Sequence, residues 1–504
     1  MSTGIRTPDR APGRAPADAH AHARSLPLSR PAIEGFLVAL AVAATLTGCS
    51  LAPKYEVPQT QEVTTYKEAG EWAQATPADA QTRGDWWTAF GDTQLNELQS
   101  KLRDGSQDLR VAIARFDQAR ALSTGARSNL FPTVDANASA RRGRSSGNAP
   151  GSPGIATGNG FLASLDFAWE IDLFGRLRNS AKAAGDRAEA SAADLAAVDL
   201  ALRAELATDY FSLRGADANI QLLEDTVKAF DRAYDLTKNR YDGGIAAATD
   251  VDQSETLRQN ARSQLADVRL QRAQLEHAIA VLLGQPPSRF SLESASLAYN
   301  PPPIDVGLPS SLLLRRPDVA SAERAVAAAN AEIGVARAAW FPVFTLGGSG
   351  GYESARQSTW FDAPSRFWAA GPAATLPLLD VGGRYAQNKQ ARGAFDEAVA
   401  NYRKTALVAY QEVEDNLAAL RHLADELAAD EAAAASAQRS AYHADRRYAS
   451  GVADYLEVTS TQTAALQAQR SALDARVRRL NATVGLVRAL GGGWSREQLD
   501  RPAL

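Results

Sequence analysis

The chain of 504 residues carries 54 basic against 58 acidic side chains, a formal net charge of −4, and a single cysteine. The acidic balance argues against a nucleic-acid binder, which shows a basic excess, and one thiol excludes an internal disulfide. No run of about 18 apolar residues follows residue 48, so any later crossing of a membrane is left to strands.

The first 48 residues read as a leader. A segment bearing Arg6, Arg10, Arg14, Arg24 and Arg30 precedes an apolar stretch from Gly35 to Thr47, which closes on Leu46-Thr47-Gly48-Cys49. That is the pattern of a bacterial lipoprotein signal, cut before Cys49 and acylated on its thiol. The covalent lipid on Cys49 is the only prosthetic group expected, and residues 49–92 are read as a lipid-anchored segment of an exported protein.

Beyond it the chain is duplicated. Phe131-Pro132 recurs 210 residues on as Phe341-Pro342, Asp172-Leu173-Phe174-Gly175-Arg176 recurs after 208 as Asp380-Val381-Gly382-Gly383-Arg384, and Tyr241-Asp242-Gly243-Gly244 recurs after 207 as Tyr448-Ala449-Ser450-Gly451. Three matches in one order at nearly one offset define two copies, 93–284 and 317–491, joined by a linker at 285–316 and followed by a tail at 492–504.

Copy one opens with a helix from Thr93 to Asn129, which stops ahead of Phe131-Pro132 because proline disfavours helix in the residue before it. A hairpin at 132–173 follows. In its second strand Phe161, Ala163, Leu165, Phe167, Trp169 and Ile171 alternate with Ser164, Asp166, Glu170 and Asp172, the period of two of a strand with one apolar face. Phe161, Phe167 and Trp169 are therefore candidate membrane-facing residues. Helices over 177–240 and 249–283 complete the copy. Copy two repeats the plan: a helix from Asp318 to Trp340, a hairpin at 343–379, and helices over 385–448 and 455–490.

The longer helices contain no proline, and at 1.5 Å per residue each spans roughly 95 Å. Leu195, Val198, Leu202, Leu206, Tyr210 and Leu213 recur at three or four, as do Leu407, Tyr410, Val413, Leu417, Leu420, Leu423 and Leu427, the spacing of coiled-coil seams. Aromatic residues on one strand face and carboxylates on the other fit a β-sandwich or a membrane barrel with a wet interior. The anchor and the lack of further strands favour the barrel. Four strands cannot close, since single-chain barrels of the outer membrane need about eight or more. Several chains must contribute, and three would supply twelve strands.

With these features in hand, the sequence resembles the outer-membrane factors of bacterial tripartite efflux pumps, of the TolC and OprM type, and especially their lipoprotein (NodT-like) branch. The likeness is carried by Cys49, Pro53, Tyr55 and Pro58; by Trp86-Trp87, Phe90, Asp92 and Leu95; by Asp172 to Arg176; by Tyr241 and Gly244; and most specifically by Leu308-Pro309-Ser310-Ser311-Leu312-Leu313-Leu314-Arg315-Arg316-Pro317-Asp318. It implies an α+β, mainly α fold: a homotrimer with a twelve-stranded transmembrane β-barrel, an α-helical barrel crossing the periplasm, and an equatorial ring built partly from 285–316. The implied function is a passive exit duct for small molecules such as drugs. Its implied partners are a periplasmic membrane-fusion adaptor and an inner-membrane transporter of the resistance-nodulation-division class.

The resemblance places both helix turns at the periplasmic tip. Asp250 and Glu457 each follow a tip glycine by six residues, and three chains would gather six carboxylates at one constriction. Acids in the first turn of a helix are also favoured by its dipole, so ring and cap stand as alternatives. Relatives continue the second tip with Leu-Asp-Ala-Gln, whereas this chain has Thr459-Ser460-Thr461-Gln462, so Ser460 stands where the gate aspartate would be. Glu457, Asp454 and Arg447 are left as gate candidates. Gly244 and Gly451, with Tyr241 and Tyr448, are candidates for docking the adaptor, and the glycines equally suit left-handed turns.

The remaining motifs read as structural. Gly347-Gly348-Ser349-Gly350-Gly351 lacks the lysine of a phosphate loop and lies in a strand. His277, His422 and His443 stand singly, so no metal is expected. Arg315-Arg316 is read as a helix start that packs. No catalytic set is present, which points away from an enzyme. Two alternatives remain: the outer-membrane channel of a type I protein secretion system, and a lipid-anchored coiled-coil scaffold without a pore.

Overall fold

The computed structural model describes residues 50–61, 63–68, 84–148, 157–297, 302 and 315–495. Cys49, the leader, residues 308–314 and most of the tail lie outside them. The elements in chain order are a 3-10 turn at Trp86–Phe90, α1 (Thr93–Gly105), α2 (Gln107–Ser128), β1 (Thr133–Arg144), β2 (Thr157–Ile171), α3 (Arg176–Asp242) and α4 (Ala248–Leu282), then α5 (Pro317–Ala338), β3 (Val343–Ser354), β4 (Arg366–Thr375), α6 (Gly383–Ala449) and α7 (Tyr455–Ala489). The duplication holds in four pairs of elements of equal length: α2 and α5 have 22 residues each, β1 and β3 12, α3 and α6 67, and α4 and α7 35, while β2 has 15 against 10 in β4.

One helix expected from Thr93 to Asn129 is two. Ser106 adopts an extended conformation and caps α2, its hydroxyl accepting the Leu109 amide. The cause is long-range: a Cβ on Gly105 would collide with the Leu283 carbonyl, and one on Gly284 with the Gly105 carbonyl. The α1–α2 break thus packs backbone to backbone on the end of α4. The second hairpin also differs from expectation, β4 ending at Thr375 rather than near 379. Pro372 lies in β4, the edge strand of the chain's own sheet, opposite Leu346.

The long helices start alike. Gly175 and Gly382 precede α3 and α6, and Asp172 and Asp380 turn back to accept amides of the first turn, from Arg178 at 2.8 Å and from Gly383 at 2.8 Å respectively. The recurring aspartate of the repeat motif is therefore a helix cap. The seam on α3 buries Leu202, Leu206, Tyr210 and Leu213 against α1, α4 and α7, together with Trp86, Trp87, Phe90, Leu292 and Leu297. On α6 the seam is Tyr402, Ala406, Ala409, Val413, Leu417 and Leu420. Leu407 falls off this stripe and is 56% exposed, because Ala406 takes its place in the three-four spacing.

Below Leu213 the helices are tied to the segment after α4 by a buried polar knot. Arg214, fully buried, pairs with Asp217 at 2.7 Å and donates to the Glu293 carbonyl, while Arg272 bonds Asp217 and the Leu292 carbonyl. A buried pair of this kind stabilises only because each charge is met from several sides. Arg316 acts as expected of a helix start, pairing with Asp318 and Glu412 and donating to the Ala489 carbonyl at 3.0 Å.

The two hairpins form one antiparallel sheet in the order β1-β2-β3-β4, joined between copies by pairing of β2 with β3. Residues directly opposite share a face. The registers therefore align Val134, Ala136, Ala138 and Ala140 with Phe161, Ala163, Leu165, Phe167 and Trp169, and these with Leu346, Tyr352, Trp368 and Ala370. The opposite face carries Asp135, Asn137, Ser139, Ser164, Asp166, Ser349 and Thr345. There Asn137 and Ser164 both donate to Asp166, at 2.6 and 2.9 Å.

Residues 50–61 and 63–68 run as a strap over the second copy. Ser50 bonds Asn179 in the first turn of α3, Arg337 and Asn330 donate to the carbonyls of Leu51 and Pro53, Tyr55 bonds Glu323, and Glu414 accepts the amides of Lys67 and Glu68. The strap therefore begins beside the sheet and descends along α5 and α6.

Candidate functional site: the helix tips and the sheet faces

Both tips close with the same hydrogen bonds. At the first, Gly244 N donates to Tyr241 O at 2.8 Å and Ile245 N to Arg240 O at 2.7 Å; at the second, Gly451 N donates to Tyr448 O and Val452 N to Arg447 O, both at 3.0 Å. Gly244 and Gly451 have φ of 73° and 78°, a left-handed region that costs other residues about 1 kcal/mol or more. Both glycines are exposed, with nothing near a Cβ position.

Side chains then break the symmetry. Tyr241 is 47% exposed, whereas its counterpart Tyr448, expected beside it on a docking surface, is only 8% exposed. The reason is Arg240, which donates to the Tyr448 carbonyl at 3.0 Å with its guanidinium carbon 4.7 Å from the ring centroid. Tyr448 also meets Tyr455 edge-on at 5.2 Å, and both join Ala444 and Val458 in a small apolar cluster. Burial, with the neighbouring Tyr448, Asp445 and Asp250 adding to it, pushes the Tyr455 phenol up to about 12, while Ser254 bonds it. The structure thus covers Tyr448 and leaves Tyr241, Gly244 and Gly451 open.

The gate candidates divide. Asp454 caps α7, accepting the Glu457 amide at 3.0 Å, and Glu457 pairs with Arg447 at 2.9 Å across the turn. Ser460 donates back to the Glu457 carbonyl at 3.0 Å. These four form one cluster at the second tip. Asp250 lies apart in the first turn of α4, half-buried, near Tyr455 and with no ion pair among the described residues. Arg240 and Tyr455 are the tip residues that sequence reading missed. Arg240 is the repeat counterpart of Arg447, so the offset of 207 could have pointed to it.

On the apolar sheet face Leu165 and Val134 are bare, and Phe161, Phe167 and Trp169 lie among them. Trp169 donates its indole N–H to the Leu130 carbonyl at 3.0 Å, at the helix end of the sheet. At the other end Phe161 packs on Trp360, which stacks on Phe361. From Phe161 to Trp169 is about 27 Å along the strand, so aromatic residues mark both ends of the apolar face. Among the described residues no group of three or more His, Cys, Asp or Glu could hold a metal ion, and no helix is long and apolar enough to cross a membrane.

A four-stranded sheet with one apolar face above long paired helices has counterparts among known proteins. The outer membrane efflux protein family matches residues 98–285 and 308–492. The probable efflux pump outer membrane protein TtgC of Pseudomonas putida is 33% identical over 468 residues, covering 91% of this chain and 96% of its own. The cation efflux system protein CusC of Escherichia coli is 32% identical over 461 residues, covering 91% and 98%. The crystal structure of the CmeC outer membrane channel of Campylobacter jejuni superposes with a TM-score of 0.83 at 25% identity, covering 89% of this chain and 96% of that one. The chain belongs to the outer membrane efflux protein family, a family of channels rather than of enzymes.

Proposed function

We propose that three copies of this chain form a passive exit duct for small molecules through the outer membrane, fed by an inner-membrane transporter of the resistance-nodulation-division class through a periplasmic adaptor. The observation that carries this reading is an incomplete wall. The sheet has two open edges, β1 and β4, each offering unpaired backbone groups that lipid cannot satisfy. The helices are incomplete in the same way. α5 packs between α3 and α6, whereas its repeat partner α2 packs on α3 and leaves Val111, Ile113 and Leu122 exposed. The segment between β4 and α6 exposes Leu378, Leu379 and Val381, and the first turn of α6 exposes Tyr385. A neighbour's α6 would cover α2 as the chain's own α6 covers α5, and β4 would pair with the neighbour's β1. Three copies close twelve strands with the polar face inward.

Two further features support the assignment. Ser50 sits at the sheet end of α3, which suits a lipid on the preceding Cys49 entering the bilayer that the sheet spans. The exposed tip residues Tyr241, Gly244 and Gly451 suit an adaptor contact through bare backbone. The test is reconstitution of the purified protein in planar bilayers with its mass measured in detergent. A trimer that conducts is the expected result; a monomer, or a trimer silent even when the tip contacts are removed, would leave a scaffold instead.

A further inference from the structure

The end of the sheet farthest from the helices carries unpaired arginines on its apolar face. Above the pair Ala140 and Phe161, the next outward positions on β1 are Arg142, opposite Asn159, and Arg144, opposite Thr157. On the other edge strand the first outward residue is Arg366, opposite Tyr352, followed by Trp368, which is 82% exposed. All three arginines are exposed, and no carboxylate among the described residues pairs with them. Arg366 meets only the Tyr352 ring, at 5.9 Å. The described acids at that end point elsewhere: Glu353 lies on the polar face and Asp362 in the connecting turn.

We infer that Arg142 and Arg144, together with Arg366 of the adjoining copy, hold a phosphorylated anionic lipid headgroup of the outer leaflet at the rim of the barrel. The inference rests on the trimeric channel reading, since closure of β4 on a neighbour's β1 brings Arg366 and Trp368 beside Arg142 and Arg144. Placement selects the ligand. Arg142 and Arg144 stand just beyond the Phe161 girdle on the lipid-facing side, where an arginine is tolerated at headgroup depth but not deeper, and Arg366 opens β4 one outward step nearer the helices, in line with Tyr352 and Ala163. Guanidinium binds phosphate bidentately, which a zwitterionic headgroup cannot match in charge. Trp368 supplies an apolar surface below for acyl chains. A protein ligand is disfavoured because the site is flanked by lipid on one side and closed sheet on the other.

Native mass spectrometry of the full-length protein tests this, released from micelles doped with diphosphorylated lipid A or with the same lipid after enzymatic dephosphorylation. The expected spectrum is a trimer retaining the diphosphorylated lipid at least about tenfold better than the dephosphorylated one. Combining Arg142→Ala, Arg144→Ala and Arg366→Ala should abolish that preference while the trimer peak remains. Arg141→Ala, on the polar face, should keep it. Replacing the same three residues by lysine should give an intermediate retention and covers the case in which the alanine variant does not assemble. Trimers that hold both lipids equally, or a triple variant that retains the preference, would overturn the site alone. Absence of trimers would instead overturn the channel reading on which it rests. Trimers that retain inorganic phosphate through these arginines but no diphosphorylated lipid would likewise refute a lipid site.

Discussion

The Arg240 guanidinium binds the Tyr448 carbonyl and covers the Tyr448 ring, so the last turn of the first long helix holds the last turn of the second. This contact joins the two copies at the tip, where in the proposed channel the helices would have to part to widen an aperture. Removing it with Arg240→Ala costs about 1–2 kcal/mol of tip cohesion. The expected outcome is a larger single-channel conductance or more frequent opening in planar bilayers. Currents identical to those of the unmodified protein would show that the contact does not restrain the tip.

Asp250 and Glu457 occupy equivalent places with unequal partners, Glu457 being neutralised by Arg447. If the carboxylates line the constriction, Asp250→Ala combined with Glu457→Ala should weaken cation preference, read as a shift in reversal potential across a salt gradient. An unmoved potential with a lowered melting temperature would mark both as first-turn charges that only steady the helix starts.

Asp209, on the buried part of α3, has its carboxyl pushed up to about 6, first by burial and then by the Glu205 charge one turn away. The folded state therefore binds its proton more tightly than the unfolded chain, and stability from this group falls as pH rises from about 4 through 6. Asp209→Asn should raise the melting temperature at pH 7.5 and do little at pH 4, a difference of about 1 kcal/mol after allowance for partial exposure. Equal effects at both pH values would refute the linkage.

Gly105 touches the Leu283 carbonyl where a Cβ has no room. Gly105→Ala should lower stability by about 2 kcal/mol or more through displacement of α1 from the end of α4. Gly185→Ala, where a Cβ would make ordinary contacts with Arg127 and Ser123, should be neutral or stabilising by up to about 1 kcal/mol. Chemical denaturation of the two variants side by side reads the difference.

Cys49→Ser should remove the acyl mass from the mature protein and block metabolic labelling by a fatty-acid analogue. The four-stranded sheets should still assemble, because their outward face is apolar without the lipid. Labelling that persists would place the modification elsewhere.

Much of this architecture could be read from residue order. The lengths of the long helices follow from uninterrupted helical spacing between Gly175 and Gly243, and the faces of β2 from the strict alternation of Phe161 to Ile171, since both are local properties of the chain. What escaped was non-local. The break at Ser106 is set by Leu283, the joining of β2 to β3 by pairing across the copies, and the burial of Tyr448 by Arg240. Tyr241 and Tyr448 are the same letter in the same motif, and only their neighbours tell them apart. The Arg214 knot was equally hidden, because an arginine on a helix reads as a solvated charge until its partners are known.

The matched lengths of α3 with α6 and of α4 with α7 carry one more consequence. Each inserted residue would lower its own turn by about 1.5 Å and rotate everything beyond it by roughly 100°. In the proposed trimer, a change in one copy alone would leave alternate legs of the tube uneven and its floor tilted. Viable lengthening of this protein must therefore arrive as paired additions, one in each half of the chain and in each limb of the hairpin.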